Sequence, residues 1–136
     1  MTEEIESNAI GIDWQESWVD MASLQLLGSS MQIDVYFVGS PPDDVKLGWF
    51  GWYTYELPVQ IDRLTFKEID GYQSTVPPDE STLWDVSAVA TGAAIELVGT
   101  QGQISIRTGR NTVTRERKKT DDTRKVTGFA LGEYCR

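Results

Sequence analysis

The sequence has no histidine and a single cysteine, Cys135, among its 136 residues. Without histidine there is no Ser-His-Asp or Cys-His catalysis and no imidazole metal ligand. One thiol excludes an intramolecular disulfide framework and a cysteine-cluster zinc site. With no histidine to activate it, Cys135 reads as an ordinary free thiol. Long apolar runs are also missing. The longest β-prone apolar stretch, Val35–Val38, is four residues long, against the roughly 20 needed to span a bilayer. The start, Met1-Thr2-Glu3-Glu4-Ile5-Glu6, is acidic where a signal peptide is basic and then apolar. The expectation is a chain that does not enter a membrane and that is cytoplasmic, or exported by a route that leaves no signal. The glycines follow no Walker or dinucleotide spacing, and no Asp-x-Asp-x-Asp-Gly calcium loop is present. No cofactor and no metal site is expected.

The length suits one domain, here residues 1–136, and an apolar share of 40% is too high for a disordered chain. Charge divides the chain. Residues 1–100 carry a net −14 and residues 101–136 a net +5. Such a split marks either an interaction surface or an acidic face and a basic strand that attract each other within one fold. The overall −9 argues against nonspecific nucleic-acid or anionic-membrane binding, which needs clustered positive charge. It fits a basic partner better.

Most segments read as strands. Leu24 and Leu26 lead into Gly28-Ser29-Ser30, and then Met31, Ile33, Val35 and Phe37 alternate with Gln32, Asp34 and Tyr36. That is a hairpin into a half-buried strand. Residues 39–44, with Pro41-Pro42, break it. Leu47–Leu57 is aromatic and β-prone, and Val59–Ile69 follows Pro58. Its apolar phase switches between Ile61 and Leu64, which predicts a bulge near Arg63. Tyr72–Thr82 reads as a loop and Leu83–Ala90 as a strand. Ala93–Val98 and Gln103–Thr108 make a second hairpin, Thr112–Arg117 a polar edge strand, and Val126–Tyr134 a last short strand. Residues 1–9 read as a flexible N-terminus and 118–123 as a flexible loop. Asp13 and Glu16 could cap a short helix carrying Trp14 and Trp18, although the same stretch also reads as the lead into a strand. The predicted fold is mainly β: a single-domain antiparallel β-sandwich or open barrel with at most one short N-terminal helix.

The densest feature is Trp49-Phe50-Gly51-Trp52-Tyr53-Thr54-Tyr55. On a strand, Trp49, Tyr53 and Tyr55 share one face, and Phe50 and Trp52 the other. Either the strand lies between two layers or one face is a contact surface, since Trp and Tyr anchor interfaces. The acid pairs Asp43-Asp44, Asp79-Glu80 and Asp121-Asp122 read as solvated groups or as charge that steers a partner. The basic run at residues 115–119 lacks the interleaved aromatics that single-strand binders use, so it reads as a solvated edge.

Ser17-Trp18-Val19-Asp20, Ile33-Asp34-Val35-Tyr36-Phe37, Leu64-Thr65-Phe66, Ala94-Ile95-Glu96-Leu97 and Gly102-Gln103-Ile104-Ser105-Ile106 follow one another in an order that resembles small all-β immunity proteins encoded beside bacterial polymorphic toxins. The resemblance covers roughly residues 17–115 and leaves Trp49–Tyr55 unmatched. It implies a protein that binds and neutralises a cognate toxin. The combined expectation is a non-enzymatic, protein-binding chain whose partner is a toxin or effector of basic character. Trp49, Trp52, Tyr53 and Tyr55 are the expected anchors, ringed by Asp43, Asp44, Asp79 and Glu80. The alternatives are a phage-associated anti-defence inhibitor or structural β-module, and a carbohydrate-binding module using the aromatic face.

Overall fold

A computed structural model describes residues 2–41 and 50–131, the side chains of residues 130 and 131 excepted. Ten strands are described: β1 (Thr2–Glu6), β2 (Glu16–Leu27), β3 (Ser30–Val38), β4 (Phe50–Phe66), β5 (Ile69–Ser74), β6 (Thr82–Trp84), β7 (Ser87–Thr91), β8 (Ala94–Val98), β9 (Gln103–Thr108) and β10 (Thr112–Leu131). They form a six-stranded sheet in the order β1-β10-β4-β3-β2-β6 and a four-stranded sheet in the order β5-β9-β8-β7. All pairings are antiparallel and neither sheet closes into a barrel, so the chain is an antiparallel β-sandwich. No described helix is long and apolar enough to cross a membrane.

Alternation explains the core. Met31, Ile33 and Val35 of β3 are buried with Val19, Leu64, Phe66, Leu83 and Val113 from the same sheet. Ile95, Leu97, Ile104 and Ile106 close on them from the other sheet. Each of these strands shows the period of two that a half-buried strand requires. The predicted hairpins at Gly28-Ser29 and across residues 99–102 are both present. Gly99 is needed for close approach. A Cβ there would lie 2.6 Å from the Trp84 carbonyl oxygen and 2.6 Å from Leu83, which is fully buried. That carbonyl already accepts from the Thr100 amide at 2.9 Å, so it cannot retreat. Gly99→Ala is therefore expected to cost about 1–3 kcal/mol, measured by urea unfolding.

Several local expectations differ from the structure. The stretch at 13–22 enters β2 at Glu16, and the only helical turn among the described residues is a 3-10 turn at Ser7–Ala9. Residues 2–6, expected in a flexible N-terminus, pair with β10 as an edge strand. The Thr112–Arg117 segment is consequently not an edge but lies between β1 and β4. Part of the predicted loop at 72–82 belongs to β5. The predicted strand at 83–90 is two strands in different sheets, and the chain crosses between them at Asp85, whose φ is +54°. No bulge occurs at Arg63, because β4 pairs with β3 without a break from Gln60 to Phe66. The irregularity sits opposite, in β10, where the register shifts between Lys119 and Thr123 across from Gln60 and Pro58. Residues 118–123, read as a loop, are thus a bulge inside a long strand. Thr120 fixes it by donating its hydroxyl to the Val59 carbonyl at 2.9 Å.

Candidate functional site: the β4–β10 ribbon

Pairing of β4 with β3 stops at Gln60, and pairing of β10 with β1 stops at Glu116. Beyond those points β4 and β10 continue together to Phe50 and Leu131 as a two-stranded ribbon. Extra residues in one strand bend it and add twist. The β10 bulge turns the ribbon across the outer face of the six-stranded sheet. There it closes a small second core of Val38, Leu57, Val59 and Val126, flanked by Trp18 and Tyr36. It also explains the apolar phase switch in β4. Leu57 and Val59 face this outer core, whereas Asp62, Leu64 and Phe66 face the sandwich.

The ribbon therefore has two unlike faces. Leu57 and Val126 point toward the sheet and are buried. Tyr53, half-buried, lies where a Cβ on Gly128 would strike its ring, so that glycine makes room for it. The opposite face carries Phe50, Trp52 and Phe129, which are 74%, 70% and 46% exposed. Phe129 is the cross-strand partner of Trp52. Its ring packs edge-on against both neighbours, with centroids 5.9 Å from Phe50 and 5.3 Å from Trp52. Thr54 and Thr127 continue this face with a hydroxyl hydrogen bond at 3.2 Å, and the Glu56–Lys125 register pair lies beyond them.

Of the anticipated anchors, Trp52 stands on the outward face, Tyr53 on the inward one, and Tyr55 is partly exposed. Trp49, Asp43 and Asp44 lie outside the described residues. Asp79 and Glu80 are exposed in the loop that leads to β6. That strand is three positions across the sheet from β4 in the strand order. Phe129 was missed. Its signal was the apolar alternation of Val126 and Ala130 about Thr127 and Phe129, which gives no hint that it meets Trp52.

The basic side of the charge split is mostly paired within the molecule, while a net −9 remains. β10 lies beside the acidic β1, and Arg115 is ion-paired with Glu3. Arg110 reaches Glu4 and Glu68, and Arg124 reaches Glu16. Arg117 bridges Asp13 at 2.9 Å and Asp62 at 2.8 Å. The Arg115 and Lys118 partners hold the Glu3 and Glu116 carboxyls below their ordinary 4.5. A depressed carboxylate stabilises the fold above the unfolded value and stops doing so as pH falls through the folded one. Tyr36 is shifted the other way, raised above 10.0 by burial and then by Asp20 and Asp34. Its contribution is present below the unfolded value and is lost as pH rises through the folded one. No histidine titrates in between. The urea midpoint is therefore expected to stay flat from about pH 5.5 to 8 and to fall below about pH 4.5 and above about pH 10. A slope near pH 6.5 would contradict this assignment.

Among the described residues there is no cluster of three potential metal-ligating side chains. Comparison with protein-family models, with curated proteins and with solved structures finds no match for the chain.

Proposed function

We propose that this chain is a non-enzymatic binding protein that grips a protein partner through the outward face of the β4–β10 ribbon. The observation that carries this reading is the trio Phe50, Trp52 and Phe129, large aromatics left exposed side by side on one strand face. Exposed apolar groups gathered in one patch mark interaction sites, whereas scattered ones do not. Aromatic anchors supply much of the energy of protein interfaces. Here their mutual packing fixes the rings in advance, which lowers the ordering cost on binding. The rings of Phe50 and Trp52 meet Phe129 at 70° and 71°. They form a ridged surface rather than a flat platform, which favours a protein over a sugar.

The partner class that fits is a toxin or effector held inactive, as the resemblance of the sequence motifs to immunity proteins implies. In this reading the aromatic face is the main determinant of affinity, and the net −9 acts on the rate of encounter. The test is co-expression with the product of the neighbouring gene. The expected result is co-purification with the wild-type chain and loss with Trp52→Ser/Phe129→Ser. Equal recovery by that variant, or no co-purification with the wild type, overturns the proposal. A closed ring of this chain alone on light scattering supports the structural β-module instead.

A further inference from the structure

Away from the outward aromatic face, the body of the sandwich builds a slot. Trp18 of β2 and Trp84 of β6 are cross-strand partners with ring centroids 5.9 Å apart. Trp18 is backed by Tyr36, stacked at 10° and 5.9 Å. Trp84 is fixed through its backbone, its amide donating to the Gln101 side-chain oxygen at 2.9 Å and its carbonyl accepting from Thr100 at 2.9 Å. Glu16 stands at the start of the same strand as Trp18. The Arg124 guanidinium lies 4.7 Å from the Trp18 ring and 5.9 Å from the Trp84 ring, and its Nε donates to Glu16 at 3.2 Å.

We propose that Trp18, Trp84 and Glu16 form a guanidinium-binding site, which the chain's own Arg124 fills and which can take an arginine side chain from a protein partner in its place. Three observations support exchange. Trp18 and Trp84 are set opposite each other by the β2–β6 pairing, whereas Arg124 belongs to β10, so removing the Arg124 side chain leaves that pairing in place. The site opens to solvent, with the side chains of Arg124 41% and Glu16 34% exposed. A cation–π contact and a half-exposed ion pair together shift a local equilibrium by only about threefold to thirtyfold, so a competing arginine can displace the resident one. Indole faces and a carboxylate suit a planar, weakly hydrated cation, which selects arginine over lysine. The site lies apart from the outward ribbon face and stands whether or not that face binds a partner.

The test uses the peptide acetyl-Gly-Arg-Gly-amide, its lysine counterpart, and the indole N–H signals of Trp18 and Trp84 in NMR. Arg124→Ala empties the slot, and Arg124→Met does so while keeping the aliphatic stem should the alanine variant fail to fold. The emptied slot is expected to bind the arginine peptide saturably in the millimolar range, about tenfold tighter than the wild type does and at least about fivefold tighter than it binds the lysine peptide. Adding Glu16→Gln or Trp84→Ala is expected to weaken binding at least about fivefold. The wild type is expected to show the same two indole shifts at the higher peptide concentration. The proposal is overturned if a folded Arg124 variant shows no saturable shift at these indoles. It is equally overturned if Trp84→Ala leaves the response unchanged, or if the wild type binds as tightly as the emptied slot.

Discussion

Asp62→Ala is expected to lower folding stability by about 3–5 kcal/mol, the range for breaking a buried ion pair on one side. Asp62 is fully buried. It accepts from Arg117 Nε at 2.8 Å and Nη2 at 3.0 Å, and from the Trp14 indole at 3.3 Å. Arg117 lies over the Phe37 ring at 4.7 Å. Its hydrogen bond to Asp62 is the largest influence holding its proton, and Asp13 adds to it. Arginine stays charged at any ordinary pH, so removing the carboxylate leaves the guanidinium with the half-exposed Asp13 as a remaining carboxylate contact. Urea unfolding measures the loss. Arg117→Met should be comparably damaging, because it strands the Asp62 carboxylate. The double variant Asp62→Leu/Arg117→Met should recover much of the loss, since an apolar replacement of both partners is often neutral. A change below about 1 kcal/mol for Asp62→Ala would show that Asp13 and the Phe37 ring suffice to hold Arg117.

Trp52→Ser/Phe129→Ser is expected to weaken partner binding at least about a hundredfold, since a central aromatic anchor is commonly worth 2 kcal/mol or more. Isothermal titration with the co-purified neighbouring product measures it. Trp52 is 70% and Phe129 46% exposed, so a moderate loss of folding stability accompanies the substitution. The edge-on contact between them is worth about 0.5–1.5 kcal/mol, and the half-buried Phe129 ring, which also meets Phe50, adds to the loss. A binding constant within threefold of wild type, with the fold intact by circular dichroism, removes the outward face from the interface. The contrast with Asp62 matters here. One substitution costs stability through a buried charge, and the other costs recognition through an exposed apolar group.

Local alternation made most strands legible. Met31, Ile33, Val35 and Phe37 announce one buried face, and Ile95 with Leu97 and Ile104 with Ile106 announce another. The sandwich follows from these. Long-range pairing was not legible. Nothing in Thr2–Glu6 says that it will lie against residues 112–116, because an edge strand is defined by its neighbour and not by its own period. The switch of apolar phase in β4 is visible in the sequence, but its cause is not. A bulge in β10 and a fold-over of the ribbon produce the same change of buried face without breaking β4. For the site, the aromatic run was visible. Its division into an outward Phe50 and Trp52 and an inward Tyr53 needed the cross-strand partners Phe129 and Gly128.

β10 has a consequence for how the chain comes together in time. It is the last described strand made, yet it pairs with β1 and with nearly all of β4. The Thr2–Glu116 contact closes a separation of 114 residues. Contacts that distant slow folding, because loop-closure entropy is lost before they form. Until β10 emerges from the ribosome, β4 has an open edge along its whole length, with Phe50 and Trp52 beside it. During synthesis the surface proposed here for a partner is thus the surface most in need of a chaperone, and a partner made alongside could fill that role.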